Sequence, residues 1–401
     1  METSCFKAIF QLLKYEILVK SELDLWLHLI MKKFLLLVFI TICFDQAHAQ
    51  SNYLLVGTYT SGKSKGIYVY RFNNVKGNFD SISMIATPNP SFLAISPGEK
   101  FVYAVHEIAQ PGNGGEVAAF SFDKKNGALT FINQQLSGGD HPCYVSVDKT
   151  GKWVAAANYT SGSLAVLPVN KNGGLDPAVS IVQHRGSGVN VERQQGPHTH
   201  SSVFSPDNNY LFSADLGIDK LMYYRFDSKT GKLVDTNFVV TEPGSGPRHF
   251  AFHPTKKFIY LIEELTGSIS SYSYSKTGLV LLQNISALPP EYTGSVGSAD
   301  IHISGDGKFL YASNRGESNT IGIFSINQKT GWLDLIDHQP TMGKTPRNFN
   351  LDPSGNFLLV ANQNSDQIVI FKRDKKTGLL TDTGKRINVG NPVCLKWISG
   401  K

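Results

Sequence analysis

Arginine, histidine and glutamate residues recur in this 401-residue chain at points where an apolar segment begins or ends. In GSGPRHFAFHP (244–254), Arg248 and His249 stand between a Gly/Pro turn and an alternating apolar segment that indicates a strand. Guanidinium groups bind carboxylates and developing oxyanions, whereas imidazole and carboxylate groups transfer protons when their pKa values are suitably tuned. Such residues could therefore carry acid–base chemistry on an anionic or carbonyl-containing substrate if the fold brings them together.

The elements that must position these residues come from one segment that is repeated seven times. The copies are YLLVGTY (53–59), FVYAVHE (101–107), WVAAANY (153–159), YLFSADL (210–216), FIYLIEE (258–264), FLYASNR (309–315) and FLLVANQ (357–363), spaced by 48, 52, 57, 48, 51 and 48 residues. A short apolar segment ending in a turn precedes most copies, and an alternating segment, usually with a Lys-x-Gly turn, follows them. Each repeat therefore holds about four strands.

Seven four-stranded units of this length predict an all-β fold, a seven-bladed β-propeller with four antiparallel strands in each blade. The first copy begins at Tyr53 without the strand that precedes the other copies, and PVCLKWI (392–398) supplies such a strand at the end of the chain. Pairing of the N- and C-terminal segments would close the ring and remove an open sheet edge. A β-sandwich would not explain seven copies in phase.

The residues before the repeats predict a secretion signal. From Met31, two lysines precede an apolar stretch (34–44) of signal-peptide length, and AHA (47–49) is a small-x-small cleavage pattern. The apolar stretch is too short to span a membrane comfortably. We therefore expect a periplasmic or secreted protein without membrane attachment after cleavage, divided into an upstream extension (1–30), a signal peptide (31–49) and one propeller domain (50–401).

Composition and motifs argue against several other classes of protein. The formal net charge is only +6 and no dense run of Lys or Arg occurs, so no nucleic-acid partner is expected. GTYTSGKS (57–64) matches the phosphate-loop pattern, but a strand rather than a helix follows it, so nucleotide binding is not expected. Neither H-E-x-x-H nor paired C-x-x-C motifs occur, and no metal ion or other cofactor is expected. The two cysteines after residue 49 are too few for a disulfide framework.

The repeat predicts which polar side chains meet. Loops that enter the inner strand of a blade and loops that leave its second strand lie on one face of a propeller, here called the mouth face. The residues just after the second strand are Thr58, His106, Asn158, Asp215, Glu263, Asn314 and Asn362, and the next are Tyr59, Glu107, Tyr159, Leu216, Glu264, Arg315 and Gln363. At the start of the inner strand stand Ser91, Cys143, His200, Arg248, Ala299 and Arg347, flanked by His141, His198, His249, Asp300 and His302.

Two interpretations divide these residues. Asn and Asp favour turns, and turn formation is sufficient to explain Asn158, Asn314 and Asn362. It does not explain three arginines, Arg248, Arg315 and Arg347, on one mouth. Clustered ionisable groups in a cleft are typical of a functional site, so we expect one here. Three other histidines are expected to be structural, namely His184, His253 and His338.

Five stretches carry a family resemblance: GPHTHSSVFSPDNNYLFSADLG (196–217), GSGPRHFAFHP (244–254), IYLIEEL (259–265), GKFLYASNRG (307–316) and TPRNFNLDPSGNFLLVANQNSD (345–366). With them the chain resembles, over residues 52–398, the seven-bladed propeller lactonases, which include propeller-type bacterial 6-phosphogluconolactonases and the fungal carboxymuconate-lactonizing enzyme. The resemblance implies a metal-independent site at the channel mouth for a lactone or its ring-opened acid. By motif, it implies catalytic roles for His200, Arg248 and Glu264, and Arg315 of the NRG motif is our candidate for a second catalytic arginine, followed by Arg347.

On this basis we expect hydrolysis of a sugar-acid lactone. Glu264 or His200 would act as general base, while Arg248 and Arg315 would stabilise the oxyanion. The substrate would be held by His141, His198, Asp215, His249, His302 and Arg347. The predicted secretion signal argues against a phosphorylated substrate, since phosphorylated sugars are scarce outside the cytoplasm. Three alternatives stay open: a non-catalytic propeller that binds a sugar acid or a protein partner, a muconate-type cycloisomerase, and a calcium-dependent lactonase that uses the mouth carboxylates.

Overall fold

The structure of the protein, a computed structural model, describes residues 26–28, 30–34, 51–110, 114–275 and 278–400. Residues 26–28 and 30–34 are helical and exposed, and the rest of the predicted extension and signal peptide lies outside the described residues. No helix within the described ranges is both long and apolar enough to cross a membrane. The strands belong to a separate unit, which is assigned to Asn52–Lys401. Its first strand also includes Ser51.

Seven four-stranded antiparallel sheets make up this unit, which confirms the predicted seven-bladed propeller. The strands of blades 1 to 4 are β1 (Ser51–Thr58), β2 (Gly66–Asn73), β3 (Phe79–Ala86), β4 (Leu93–Ile95), β5 (Phe101–His106), β6 (Glu116–Asp123), β7 (Ala128–Leu136), β8 (Pro142–Val147), β9 (Trp153–Asn158), β10 (Ser163–Pro168), β11 (Ser180–Gln183), β12 (Thr199–Phe204), β13 (Tyr210–Asp215), β14 (Lys220–Phe226) and β15 (Leu233–Val240). Those of blades 5 to 7, with the last strand of the chain, are β16 (Pro247–Phe252), β17 (Phe258–Glu263), β18 (Ser268–Ser275), β19 (Gly278–Ser286), β20 (Ser298–Ile303), β21 (Phe309–Asn314), β22 (Thr320–Ile326), β23 (Leu333–Pro340), β24 (Pro346–Leu351), β25 (Phe357–Asn362), β26 (Gln367–Arg373), β27 (Leu380–Asn388) and β28 (Pro392–Ser399). A 3₁₀ turn, Gln363–Ser365, follows β25.

The ring closes as the sequence predicts. Blade 1 has the strand order β28-β1-β2-β3, so the last strand of the chain is the inner strand of the first blade. Strands β1 and β28 pair antiparallel from Asn52 opposite Ser399 to Thr58 opposite Pro392. The two ends of the propeller therefore hold each other in one sheet, and the inward edge of β1 is paired.

The core lies between neighbouring blades rather than within any one of them. The second strands β9, β17, β21 and β25 are buried along their whole length, because another blade covers each face. This is why the repeated segments are continuously apolar instead of alternating. The outer strand β15, by contrast, is mostly exposed.

A turn on the opposite face of the propeller, here called the far face, joins the third and outer strands and packs a glycine against the preceding blade. Its partner is the aromatic residue that begins the second strand of that blade. The pairs are Gly77 with Phe357, Gly127 with Tyr53, Gly173 with Phe101, Gly231 with Trp153, Gly331 with Phe258, and Gly378 with Phe309. Blade 5 breaks this rule, because only two residues separate β18 from β19, and Tyr210 has no such glycine.

The substitution Gly231→Ala tests this packing. A Cβ atom there would lie 2.2 Å from the Trp153 ring, and the φ angle of +73° is strained for alanine. We expect the free energy of unfolding, measured by urea denaturation, to fall by about 2–4 kcal/mol. The control is Gly98→Ala, since a Cβ atom at Gly98 meets nothing within 4 Å. Equal stability of the two variants would show that the glycine contact is not required.

Candidate active site

A β-bulge at the start of the inner strand delivers the candidate residues to the channel. In blade 5 the register shifts between Pro247 and His249, so that Arg248 is the extra residue of the bulge. The equivalent extra residues are Val393 in blade 1, Cys143 in blade 3, His200 in blade 4, Ala299 with Asp300 in blade 6, and Arg347 in blade 7. A bulge re-aims a side chain out of the normal strand alternation, which is why residues inside buried strands can line a polar cavity.

The bulges surround a small cavity at the mouth of the channel. Its volume is about 10 Å³, room for one water molecule at most. It is lined by Ser91, Phe92, Glu107, Cys143, His200, Arg248, His249, Arg347 and Val393. The structure therefore brings together His200, Arg248, His249 and Arg347, as the repeat predicts.

Glu264 is the centre of an arginine cluster beside this cavity. Its Oε2 accepts a hydrogen bond from Arg248 Nε at 2.8 Å and lies 2.9 Å from Arg315 Nη2. Its Oε1 accepts a hydrogen bond from Arg193 Nη2 at 2.7 Å. Glu264 and Arg248 are buried, at 5% and 1% exposure, so this cluster is shielded from solvent screening.

The cluster makes Glu264 unsuitable as a general base. Burial by itself would raise the pKa of Glu264, but Arg315 and Arg248 outweigh it and hold that pKa well below its usual value. A carboxylate whose oxygens already serve three guanidinium groups has little tendency to take up a proton. Of the two bases expected from the sequence, the geometry therefore favours His200.

Arg347 differs from the other arginines because it has no carboxylate partner. Its guanidinium lies over the Tyr59 ring, 5.4 Å from the ring centroid, and no hydrogen bond or ion pair joins it to the rest of the described chain. The nearby Glu107 carboxylate accepts hydrogen bonds from Tyr59 Oη at 2.9 Å and from Ser91 Oγ. Burial lowers the pKa of Arg347, but Tyr59 and Glu107 outweigh it and keep the guanidinium charged. Arg347 is thus a cation available to a ligand.

His200 is a buried and neutral imidazole. Burial and the charge of Arg248 hold its pKa well below the usual value of 6.5. Its Nδ1 lies 3.7 Å from Cys143 Sγ, and its Nε2 has no hydrogen-bond partner among the described residues. At neutral pH the imidazole is therefore unprotonated, and its Nε2 is free to interact with a group bound in the cavity.

A second histidine is fixed beside it by a carboxylate. His249 Nδ1 lies 2.8 Å from Asp300 Oδ1, and the His249 and His200 rings are 5.2 Å apart at 71°. Burial and Arg248 lower the pKa of His249 to about 4. Since the Asp300 carboxylate only accepts hydrogen bonds, Nδ1 carries the proton, which leaves a lone pair on the buried Nε2. His302, whose Nε2 lies 2.9 Å from Asp300 Oδ2, is bound to the same carboxylate.

The two remaining histidines of the predicted site lie at the outer part of the mouth. His198 stacks on Tyr159 with ring centroids 4.5 Å apart, and Tyr159 in turn contacts the His200 ring at 5.3 Å. His141 Nδ1 lies 2.9 Å from Thr160 Oγ1. Neither side chain contacts the Glu264 cluster directly.

Asp215 is not brought to the site, contrary to the sequence prediction. It is fully buried, with Oδ2 2.6 Å from His184 Nδ1 and Oδ1 accepting hydrogen bonds from the backbone of His198 and Gly217. Asp215 therefore serves the packing of the blade and does not line the cavity at the channel mouth. The same holds for the equivalent asparagines, which donate to backbone carbonyls as the turn interpretation predicts: Asn158 to Ser137, Asn314 to Ala287, and Asn362 to Thr341.

Arg193 is the site residue that the repeat does not reveal. It lies in the loop between β11 and β12, which is longer than the equivalent connections between the other blades. Gln194 anchors this loop by donating to the Leu216 carbonyl at 2.8 Å and to Asp219 Oδ1 at 2.7 Å. The one signal in the sequence is the 57-residue spacing between the third and fourth copies, the longest of the six. In the part of the chain that the structure describes, no three His, Cys, Asp or Glu side chains are grouped to hold a metal ion.

Comparison with known proteins places this geometry in a family context. The family described as "Lactonase, 7-bladed beta-propeller" matches residues 53–397. The chain is 39% identical over 346 residues to a 6-phosphogluconolactonase of Bacillus subtilis, covering 86% of this chain and 97% of that protein. It is 44% identical over 333 residues to one of Formosa agariphila, covering 82% and 94%. A solved periplasmic gluconolactonase of Pseudomonas aeruginosa superposes with a TM-score of 0.83 at 37% identity, covering 88% of this chain and 100% of that one.

Removing the central carboxylate should destabilise the protein in a pH-dependent way. Because the folded-state pKa of Glu264 lies below 4.5, its ionised form stabilises the fold above that pH, and the contribution is lost as the pH falls. We expect Glu264→Gln, which leaves Arg248 with an uncompensated buried charge, to lower the free energy of unfolding by about 3–5 kcal/mol at neutral pH.

Urea denaturation at several pH values tests this expectation. The loss of stability between about pH 5 and about pH 3 should be smaller in Glu264→Gln than in the wild type. The exposed Glu317→Gln serves as the control and should follow the wild type. Parallel pH profiles for Glu264→Gln and the wild type would contradict the assigned ionisation.

Proposed function

The chain belongs to the seven-bladed β-propeller lactonase family, and on that premise we propose that it hydrolyses the lactone of an unphosphorylated six-carbon sugar acid at the mouth of its central channel. Membership makes the protein a lactone-hydrolysing enzyme, since relatives at 39% and 44% identity are 6-phosphogluconolactonases. The finer proposal concerns the substrate and the residues that act on it.

One observation carries the assignment of residues. Arg347, a cation without a carboxylate partner, and His200, a neutral imidazole with an unoccupied Nε2, line the same water-sized cavity. Lactone hydrolysis needs these two functions, a charge that stabilises the oxyanion and a base that takes a proton from water. The cavity between them has room for the attacking water, and the substrate ring would lie above it in the wider mouth.

The proposed reaction proceeds through a tetrahedral intermediate. The water oxygen adds to the lactone carbonyl carbon while its proton passes to His200 Nε2, and Arg347 stabilises the negative charge on the carbonyl oxygen. The bond between the carbonyl carbon and the ring oxygen then breaks, and the ring oxygen takes the proton from His200. The product is the open-chain hydroxy acid, whose carboxyl group releases a proton to solvent.

The arginine cluster would prepare this site rather than perform the proton transfer. Glu264 fixes the guanidinium groups of Arg248 and Arg315, so their positive field acts on the cavity without reorganisation during the reaction. Arg193, whose side chain is 42% exposed, lies at the outer side of the same carboxylate, where it can contact hydroxyl groups of a bound sugar.

The choice of an unphosphorylated substrate is supported by the predicted export of the protein. A signal peptide over residues 31–49 would place the enzyme in the periplasm or outside the cell, where phosphorylated sugars are scarce. The similar Pseudomonas aeruginosa structure is that of a periplasmic gluconolactonase. The relatives do not favour the alternatives of a non-catalytic binding protein or a muconate-type cycloisomerase.

Acid release in a pH-stat, corrected for spontaneous hydrolysis, tests the function with D-glucono-1,5-lactone and its 6-phosphate. We expect turnover of the unphosphorylated lactone with a kcat/KM at least equal to that of the phosphate. Turnover of the phosphate alone would overturn the proposed substrate but not the lactonase activity. No acid release from either lactone would overturn hydrolysis of sugar-acid lactones.

The same assay tests the role of Arg347. Replacement by alanine removes the charge that stabilises the oxyanion, so kcat/KM should fall by about 10²–10³-fold. Arg347→Lys should recover only part of the activity, because an ammonium group cannot reproduce the planar guanidinium. The control Arg71→Ala changes an exposed arginine of blade 1 and should retain full activity. Wild-type kcat/KM in a folded Arg347→Ala variant would contradict this role.

The pH dependence of kcat/KM tests the assigned base. Because burial and Arg248 hold the pKa of His200 well below 6.5, the base is unprotonated throughout the neutral range. The rate should therefore be independent of pH between about pH 6.5 and about pH 8 and should decline only at more acidic pH. An inflection at or above pH 6.5, abolished in His200→Asn, would show that His200 is not held neutral as proposed.

A further inference from the structure

A large cavity lies on the far face, remote in the fold from the channel mouth. It is a groove of about 960 Å³ at the junction of blades 4 and 5. Its walls come from the β12–β13 and β14–β15 turns of blade 4 and from the β16–β17 turn and the end of β18 in blade 5. Its volume is typical of a ligand-binding pocket, whereas the cavity between the bulges has room for one water molecule at most.

The groove exists because the repeat is broken at this junction. At six junctions the turn between the third and outer strands covers the aromatic residue that begins the preceding second strand. In blade 5 that connection is only two residues long, and Tyr210 of blade 4 lines the groove instead of packing under a turn glycine. The opening is therefore a local departure from a sevenfold pattern that the rest of the ring obeys.

Aromatic side chains form the inner wall of the groove. Tyr210 and Tyr274 line it and are only partly buried. Both are held from behind by Phe212, whose ring centroid lies 6.3 Å from that of Tyr210 and 5.7 Å from that of Tyr274. Phe226 completes this wall and is buried. Two rigid tyrosines offer flat apolar surfaces with polar edges, which suit the faces of sugar rings.

The rim of the groove is cationic. Lys229, Lys232 and Lys256 are exposed, and their ammonium groups form no ion pair or hydrogen bond with the described residues. The neighbouring carboxylates are occupied within their own turns. Asp207 accepts hydrogen bonds from the side chains of Ser205 and Asn209. Asp227 accepts one from the backbone amide of Lys229 and one from the hydroxyl group of Thr230. The groove therefore offers unpaired positive charge to a ligand.

We propose that this groove binds an anionic saccharide, with sugar rings on Tyr210 and Tyr274 and carboxylate groups on the three lysines. The aromatic wall selects for a ring with apolar faces, and the lysines select for negative charge on it. The site is separate from the catalytic mouth and does not depend on the proposed lactonase reaction. It would hold the enzyme on an acidic polysaccharide while the mouth face stays free.

Isothermal titration of the full chain with tetragalacturonate tests the proposal, with maltotetraose as the neutral saccharide and tripolyphosphate as the non-saccharide anion. We expect tetragalacturonate to bind and the other two to bind at least about tenfold more weakly. The triple variant Lys229→Ala/Lys232→Ala/Lys256→Ala should weaken tetragalacturonate binding by about tenfold or more, since each lost charge-assisted hydrogen bond reduces affinity. Lactonase activity of the variant should be unchanged.

A matched control comes from the repeat itself. Lys329 occupies the position in the blade 6 turn that Lys229 occupies in blade 4, and both backbone amides bond to the first side chain of the turn. Lys329→Ala should leave tetragalacturonate affinity unchanged. Absence of binding, equal affinity in the triple variant and the wild type, or equal affinity for tripolyphosphate would each overturn the proposal.

Discussion

The constraint on which the site depends is the bulge at the start of the inner strands. A regular strand would send alternate residues into the tightly packed interfaces between blades, where a charged side chain could not be accommodated. One extra residue per bulge breaks this alternation and places Cys143, His200, Arg248 and Arg347 around a single cavity. The ring closed by β1 and β28 then fixes the distances between blades, so residues far apart in sequence keep a common geometry.

Charge balance decides which members of the cluster can act. One buried carboxylate, Glu264, is shared by Arg193, Arg248 and Arg315, so these arginines are held and partly neutralised. Arg347 stands outside this arrangement because Glu107 is bound to Tyr59 and Ser91 instead. Burial, reinforced by the charge of Arg248, keeps the neighbouring imidazoles of His200 and His249 neutral. The unequal distribution of carboxylates thus separates the supporting arginines from the one free cation, and burial supplies the neutral base beside it.

The sequence predicts the fold and the convergence of the bulge residues because seven copies in phase leave one topology that satisfies them all. The sequence does not show that Asp215 is buried in its blade whereas Glu264 reaches the arginine cluster. Asp215 is the last residue of β13 and Glu264 is the first residue after β17, so the two positions differ by a single step along the strand. Arg193 lies in the longest of the loops between blades, so no alignment of copies identifies it. The hydrogen bond between His249 and Asp300 joins blades 5 and 6. It depends on the distance between the two blades, which the residues around either position do not reveal.

A crystal structure with D-gluconolactam, an analogue of the lactone in which nitrogen replaces the ring oxygen, would test the central assignment most directly. We predict that the lactam carbonyl oxygen accepts a hydrogen bond from the Arg347 guanidinium, with His200 Nε2 facing the carbonyl carbon across the site of one water molecule. A lactam bound at the channel mouth without contact to Arg347, or bound only elsewhere on the propeller, would contradict this assignment.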